Sequence, residues 1–361
     1  MREPLLRATL ILFLLIAIGW LLFVGRPILL PFVLALIIWY VISLGAQAFR
    51  ELPVLGAWLP GWIRLALSLL TILLVVFGSV RLVAANVATL AADVPEYQAR
   101  LEALLRSVSL RFGIEDELRL DALLPDNALN QLVGFAAEAT TTLLGSGAVI
   151  LIYVAFLLVE QTTFRGKTAA MFSTLDGRQR AQAVLEVIAG QIRNYLAIKT
   201  ASSVLVGLIT SAFVVVIGMP YAALFGFLAF ILNFIPTIGS ILGVVGPAIL
   251  AIVYFDSLGP FVGTVVVLGA LQFIAGNVLE PRLMGSQLNL SAIVIFLSLA
   301  FWGALWGVVG MIVCVPITVI MLIVFAQFAS TRPLAVLLSS DGSIPDRIED
   351  DGITGRGQGG Q

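Results

Sequence analysis

The stretch "NFIPTIGSILGVVGP", residues 233–247, lies within a run from Thr200 to Phe255 that contains no Asp, Glu, Lys or Arg. Asn233 and Pro236 interrupt an otherwise apolar helical pattern, and glycines follow at Gly239, Gly243 and Gly246. Proline removes a backbone donor and clashes with the preceding turn, and lipid offers no partner to the carbonyl groups that are freed. The stretch therefore predicts a helix that is broken inside a membrane.

The composition of the whole chain agrees with this interpretation. Of its 361 residues, 60% are hydrophobic and 11% are charged, and its mean hydropathy is +1.09. A soluble globular domain carries roughly 25% charged residues. We therefore predict an all-α, polytopic integral membrane protein with about 7–8 transmembrane helices. These include interrupted or re-entrant hairpins, and two amphipathic helical inserts accompany them.

Two residue counts exclude most classes of enzyme. The chain has no histidine and one cysteine, Cys314. It therefore lacks His-zinc sites and Ser-His or Cys-His nucleophilic pairs, and it has no intrachain disulfide framework. We expect no enzyme activity, no cofactor and no metal site. The net charge of −1 gives no indication of a nucleic-acid partner. The partner that the hydrophobic composition predicts is the lipid bilayer.

Hydropathy and charge divide the chain into six segments. They are 1–84, with the first three transmembrane helices; 85–140, an extracytoplasmic amphipathic helical insert; 141–160, the fourth transmembrane helix; 161–198, a cytoplasmic amphipathic helical segment; 199–330, a transmembrane core with broken helices; and 331–361, a disordered cytoplasmic tail. Within the first insert, Val94-Pro95 predicts the start of a helix, because proline is favoured in a first turn.

The orientation in the membrane follows lysine and arginine near the ends of the spans. Residues 85–140 carry four arginines against nine acidic residues, whereas 160–199 carry six basic residues against three acidic ones. We therefore expect 85–140 outside, 160–199 in the cytoplasm and both termini in the cytoplasm. This topology needs a hairpin in 221–255, because a single crossing there would invert everything after it. The sequence leaves that choice open.

A second broken helix is predicted in the uncharged block 290–328, which is too long for one straight helix. The sequence leaves open whether this block is a re-entrant hairpin or a full crossing. Its central stretch is "FWGALWGVVGMIVCVP", residues 301–316. Small residues let helices approach closely, and proline kinks the helix that it interrupts. We interpret five positions in the two stretches as hinge or packing residues: Gly243, Gly303, Gly307, Gly310 and Pro316.

The stretch "GNVLEPRLMG", residues 276–285, places Glu280 and Arg282 between two long uncharged runs. Ionisable residues within or at the end of a membrane span are functional candidates. Glu280 could bind a cation or a proton, with Asn277 on the same helix face. Alternatively, these charges simply end the helix at the interface, where they cost little. The candidate transport-site residues of the two stretches are Asn233, Pro236, Gly239, Asn277, Glu280, Pro281, Arg282 and Gly285.

At these stretches the sequence resembles the AI-2E family of transporters. The resemblance is carried by "NFIPTIG" at 233–239, "LEPRLMG" at 279–285 and "FWGALWGVVGMIVCVPIT" at 301–318. It implies a permease-like homo-oligomer, a pentamer by that resemblance, in the cytoplasmic membrane of a bacterium. Some members are associated with export of the furanone-type signal that gives the family its name. Others are associated with monovalent cation/proton exchange.

These features leave three hypotheses about function. The first is a secondary transporter or exporter of a small polar molecule, with an autoinducer-2-like signal as the substrate that the resemblance implies. The second is a monovalent cation/proton antiporter that uses Glu280, although such antiporters normally need a titrating carboxylate at depth. The third is a membrane scaffold that acts through the helices of 85–140. The sequence does not give the substrate, the direction of transport or the coupling ion.

Overall fold

The computed structural model describes residues 2–51, 59–112, 134, 145, 147–171, 174–284 and 289–344. Within these ranges the chain is almost entirely helical, and its β-structure is one isolated bridge between Leu290 and Ser339. Six of the described helices are long and apolar enough to cross a membrane, and shorter apolar helices accompany them. These observations confirm the predicted all-α, polytopic membrane fold.

The described part of the chain consists mainly of α-helices. In chain order they are α1 (Arg2–Val24), α2 (Arg26–Glu51), α3 (Gly61–Phe112), α4 (Gly147–Glu160), α5 (Phe164–Met171), α6 (Leu175–Val216), α7 (Ala222–Leu232), α8 (Ile238–Phe255), α9 (Leu258–Ile274), α10 (Glu280–Met284), α11 (Ala292–Gln327) and α12 (Arg332–Leu338). One π-helical turn, Ala275–Leu279, joins α9 to α10.

Two helices run through boundaries that the sequence predicted. Helix α3 has 52 residues, and α6 has 42, which at 1.5 Å per residue gives lengths of about 78 and 63 Å. Each is longer than the roughly 30 Å hydrocarbon layer, so the described parts of both amphipathic inserts continue a membrane span. The prediction that Val94-Pro95 starts a helix is wrong, because α3 passes through Pro95 without a break. Proline is favoured in the first turn of a helix, but it also occurs inside helices, where one backbone hydrogen bond is lost. Its presence alone therefore does not mark a helix start.

The chain forms two compact units, one of residues 1–41, 148–196 and 286–361 and the other of 42–147 and 197–285. In the first unit, α11 is a hairpin. Its backbone breaks at Gly307, where φ is 62° and ψ is −142°, a conformation that glycine adopts without a Cβ clash. The hydroxyl oxygens of Ser298 and Thr318, one on each leg, lie 2.6 Å apart. The structure therefore resolves the choice in 290–328 in favour of a hairpin.

The second unit contains the other hairpin, formed by α7 and α8. Helix α7 has 11 residues, about 16 Å, and therefore cannot cross the membrane alone. The chain reverses at Pro236 and at Thr237, which has a φ of 62°. The two legs approach so closely that a Cβ at Gly239 would overlap the carbonyl group of Leu232. The segment 221–255 is therefore a hairpin, as the predicted topology requires.

Helices α8 and α9 form an antiparallel pair that extends this hairpin. The connection is made by Asp256, at a φ of 50°, and by Ser257, whose hydroxyl caps α9 by accepting a hydrogen bond from the Gly259 N–H. Further along the pair, Gly243 of α8 lies against Gln272 of α9. By the same antiparallel register, the tip of the α7–α8 hairpin lies beside the C-terminal end of α9.

A hydrophobic cluster joins α3 to the open end of the α7–α8 hairpin. Its buried members are Val83, Val87, Leu90, Tyr97, Val214, Met219, Tyr221, Leu224, Phe225, Leu250, Ala251 and Val253. Tyr221 precedes α7 in a left-handed conformation, with a φ of 64°, and its hydroxyl donates to the carboxylate of Asp93 on α3. This hydrogen bond holds the entrance of the hairpin against α3.

The chain after α11 is ordered further than the sequence predicted. The predicted disordered tail begins at residue 331, yet α12 is a helix and its Ala335 is fully buried. Beyond it, the Asn289 side chain donates to Asp341 at 3.0 Å and to Ser343 at 2.8 Å. The apolar residues of α12 account for its burial. The polar composition of 331–361 as a whole did not indicate this short helix. Residues 345–361 lie outside the described part of the chain.

We predict that Tyr221→Phe lowers the free energy of unfolding by about 1–3 kcal/mol, because the half-buried Asp93 carboxylate loses its donor. Thermal or denaturant unfolding of the purified protein measures this loss. Tyr254→Phe is the matched control, since Tyr254 is 37% exposed and its ring contact with Phe255 survives in phenylalanine. Equal stability of Tyr221→Phe and the wild type would contradict the role given to this hydrogen bond.

The same tyrosine predicts a pH dependence. Tyr221 lies outside the membrane-spanning segments, and burial, followed by its hydrogen bond to Asp93, raises the pKa of its phenol above the ordinary value. The folded protein therefore keeps this proton at a pH at which the unfolded chain loses it. Stability should fall as the pH rises above about 10. A pH series of melting temperatures should show a shallower fall in Tyr221→Phe than in Tyr254→Phe.

Candidate functional site

One face of α6 carries polar residues into the second unit. Lys199, Ser202 and Ser203 are at most 7% exposed, and Val206 and Thr210 continue the same buried stripe. These four residues follow Lys199 by three, four, seven and eleven positions, a spacing that places all five side chains on one side of a helix. Small hydroxyl side chains on this face leave room for the elements that pack against it. The face therefore offers a lysine and two hydroxyl groups to its neighbours.

The lysine is paired with the glutamate that the sequence singled out. Lys199 Nζ lies 2.8 Å from each of the two carboxylate oxygens of Glu280. Both residues are buried, with 7% of Lys199 and 9% of Glu280 exposed. A charge buried alone in a membrane protein is costly, and a close partner with additional hydrogen bonds offsets much of that cost. This geometry explains why a chain that avoids charge keeps Glu280.

Three neutral side chains complete the cluster around the glutamate. Ser202 Oγ donates to Glu280 Oε1 at 3.0 Å. Asn233 Nδ2 donates to Ser203 Oγ at 3.0 Å and approaches Glu280 Oε1 at 3.4 Å. Asn233 is 4% exposed and lies at the tip of the α7–α8 hairpin. We call Lys199, Ser202, Ser203, Asn233 and Glu280 the tip cluster. It contains hydroxyl, amide, ammonium and carboxylate groups in one buried position.

The π-helical turn before Glu280 sets the direction of its side chain. Pro281 has no N–H and its ring opposes the carbonyl group four residues before it, which disfavours a regular α-helical turn there. The chain instead forms the turn Ala275–Leu279, in which the Glu280 N–H donates to the Ala275 carbonyl group. This wider turn adds a residue and rotates the next helical residues about the axis. Glu280 consequently faces Lys199 and not the surface.

The hairpin tip itself is strained. Thr237 has φ 62° and ψ −56°, and the Ile238 N–H donates to the Pro236 carbonyl group at 2.6 Å. This is the rare form of a three-residue turn, and such strain in non-glycine residues concentrates at functional sites. Pro236 is half-buried and Gly239 is buried beside it. The predicted residues Asn233, Pro236 and Gly239 thus all belong to one turn next to Glu280.

Other predicted site residues lie apart from the tip cluster. Asn277 is exposed, and its Nδ2 donates to the Phe273 carbonyl group at 3.2 Å. The expectation that Asn277 shares a face with Glu280 assumed an α-helix, and the π-helical turn separates them. Pro281 and Arg282 are exposed, and Arg282 makes no ion pair with Glu280. Gly285 lies outside the described residues.

The predicted hinge and packing residues lie in the two hairpins. A Cβ at Gly303 would come within 3.0 Å of Met311, and one at Gly310 would overlap the Trp302 carbonyl group. These two positions allow close approach of the two legs of α11, whereas Gly307 makes the turn. Gly243 instead faces Gln272 of α9. Pro316 lies within the second leg of α11. Trp306, which is 4% exposed, donates to the Leu22 carbonyl group at 3.1 Å.

Sequence reasoning missed Lys199, Ser202 and Ser203. Lys199 was counted only among the basic residues that set orientation. Its position as the last charge before 56 uncharged residues was the signal that could have identified it, because such a lysine needs a partner once its helix is buried. Among the described residues, no group of three His, Cys, Asp or Glu side chains could hold a metal ion.

Comparisons with known proteins agree with the motifs. The model of the AI-2E family transporter matches residues 10–330 of this chain. The AI-2 transport protein TqsA of Escherichia coli K12 is 34% identical over 243 residues, 66% of this chain and 67% of that protein. A Haemophilus influenzae protein, named as a candidate transport protein, is 30% identical over 327 residues, 87% of this chain and 90% of its own length.

The ion pair predicts strong coupling between two substitutions. Glu280→Gln and Lys199→Met should each lower the free energy of unfolding by about 3–5 kcal/mol, because each leaves a buried charge without its partner. The double variant should recover most of this loss, since no charge then remains unpaired. Unfolding of the four proteins in one detergent measures the coupling.

Arg282→Gln is the control for this cycle, because Arg282 is exposed beside the same turn. Its stability should stay within about 0.5 kcal/mol of the wild type. Losses that simply add in the double variant would show that Lys199 and Glu280 do not interact.

Proposed function

The chain belongs to the AI-2E family of transporters, and from that membership and the tip cluster we propose that it is a secondary transporter of a small, polar, uncharged molecule. The observation that carries the proposal is the buried cluster at the tip of a broken helix. Discontinuous helices near the middle of the membrane hold substrate in many secondary transporters. Autoinducer-2 is the substrate that the name of the Escherichia coli relative suggests.

The chemistry of the cluster supports a hydroxyl-bearing substrate. Glu280 Oε1 accepts hydrogen bonds from Ser202 and Asn233 in addition to its ion pair. Hydroxyl groups of a substrate can replace these two neutral donors while Lys199 continues to neutralise the carboxylate. Because Lys199 and Glu280 cancel in charge, the cluster attracts neither cations nor anions strongly. An uncharged polar molecule fits this balance best.

The proposed setting is the cytoplasmic membrane of a bacterium, with both termini in the cytoplasm. Lys199 then lies near the cytoplasmic end of the membrane-spanning part of α6, and the α7–α8 hairpin enters from the outside. Because α7 is about 16 Å long, the hairpin tip ends within the roughly 30 Å hydrocarbon layer, beside the buried ion pair, which suits a gate between the two sides. Assembly as a homo-oligomer, as the family resemblance implies, belongs to the same proposal.

The test is uptake of labelled autoinducer-2 into liposomes that contain the purified protein. We predict saturable uptake by the wild type. Asn233→Ala should lower this uptake about tenfold, since the substrate loses one hydrogen bond to the Asn233 amide, worth about 1.4 kcal/mol. Asn277→Ala is the matched control: the same side chain is removed from an exposed position, and uptake should not change. Equal uptake by Asn233→Ala and Asn277→Ala would remove the cluster from the substrate pathway.

An imposed proton or sodium gradient distinguishes the antiporter. If autoinducer-2 does not enter, while sodium or potassium drives proton movement that Glu280→Gln abolishes, cation/proton exchange replaces the proposed function. If the wild type shows neither kind of flux, a scaffold role for 85–140 is favoured. Most of the second half of that segment lies outside the described residues.

A further inference from the structure

The inward face of α9 carries a polar side chain that the tip cluster does not use. Gln272 is 5% exposed, and it follows the buried Thr264 and Leu268 at intervals of four residues. Its amide oxygen, Oε1, is buried and accepts no hydrogen bond from the described part of the protein. A buried amide oxygen without a donor costs free energy. In an apolar helix, leucine at this position would avoid that cost.

The position of the amide is fixed by the neighbouring leg of the hairpin. A Cβ at Gly243 of α8 would lie 2.8 Å from Gln272 Nε2. The absence of a side chain at Gly243 therefore makes the space that the amide group occupies. The hairpin accommodates Gln272 by shape, yet it gives the oxygen no donor. Packing alone does not account for glutamine at this position.

Gln272 and Glu280 lie on the segment from α9 to α10, which packs along the α7–α8 hairpin. Glu280 is eight residues further on, a distance of about 12 Å along a helix. Asn233 contacts Glu280 at one end of this interface, and Gly243 contacts Gln272 at the other. Ala275, which is 3% exposed, lies between them. Two buried polar positions thus follow one another along the hairpin.

The charge of this region limits what could bind there. Neither 200–255 nor 257–279 contains an Asp, Glu, Lys or Arg, so a charged ligand would find no counter-ion in these segments. An amide oxygen accepts hydrogen bonds from O–H and N–H groups. An uncharged molecule with hydroxyl groups meets both conditions.

We propose that Gln272 is a second substrate-binding residue, whose amide oxygen accepts a hydrogen bond from a hydroxyl group of an uncharged, hydroxyl-bearing molecule on its way past the hairpin. This proposal rests on the proposed transport function and adds a second position, away from the tip cluster, to its pathway. It gives a role to an amide oxygen that lacks a donor in an apolar face.

The experiment compares the wild type with Gln272→Leu in two measurements on the full chain. Without ligand, Gln272→Leu should raise the melting temperature by about 2 °C, because an unpaired polar atom is removed. In liposomes, the KM for autoinducer-2 uptake should rise about tenfold or more, with a smaller change in the maximal rate. Asn277→Leu, an exposed amide on the same segment, should change neither quantity.

Two results overturn the proposal. A lower melting temperature of Gln272→Leu would show that the amide has a structural partner. A higher melting temperature with an unchanged KM would show that the substrate does not use the oxygen. Gly243→Ala provides a second variant, since its methyl group displaces the amide while Gln272 remains. It should also raise the KM.

Failure of the proposed substrate is distinguishable from failure of this inference. If the wild type takes up no autoinducer-2, the shift of its melting temperature by D-ribose, an uncharged sugar with several hydroxyl groups, is measured instead. A shift in the wild type that disappears in Gln272→Leu supports the hydroxyl-binding role. An equal shift in both proteins, or a shift in neither, overturns it.

Discussion

The pairing of Lys199 with Glu280 is the constraint on which the second unit depends. Both charges are buried, and removing either partner leaves the other in surroundings that do not solvate it. The pair therefore joins α6, at the point where its uncharged part begins, to the first residue of α10. Ser202 and Asn233 complete the hydrogen bonds of the carboxylate. Asn233 also donates to Ser203 of α6, which holds the hairpin tip at the same position. The cluster thus fixes three elements at once.

Breaks in the helices make this arrangement possible. Pro236 and Thr237 turn the chain so that the short α7 presents Asn233 at its end. Pro281 disfavours a regular turn, and the resulting π-helical turn directs Glu280 inwards. In the other unit, Gly307 reverses α11 in the same manner with glycine alone. Each break frees backbone groups, and these groups need hydrogen-bond partners within the protein, because the membrane interior supplies no water.

Much of this architecture could be predicted from the sequence, because its strongest signals are local. Long uncharged runs indicated the spans, and Pro236 and the glycines of 301–316 indicated breaks in two helices, but only the structure shows that both breaks are hairpins. Of the site, Asn233 and Glu280 were identified by polarity in apolar surroundings. Lys199 was not, because its partner lies 81 residues away and only the fold brings the two together. Asn277 was assigned to the wrong face, because helical periodicity cannot anticipate a π-helical turn.

The most direct measurement is a cryo-electron microscopy map of the protein in lipid nanodiscs, at a resolution that separates side chains. We expect continuous density between Lys199 and Glu280, with a nitrogen to oxygen distance of about 3 Å, and Asn233 beside them at the hairpin tip. A Glu280 side chain that points to the membrane interface, with Lys199 in solvent, would contradict the buried pairing.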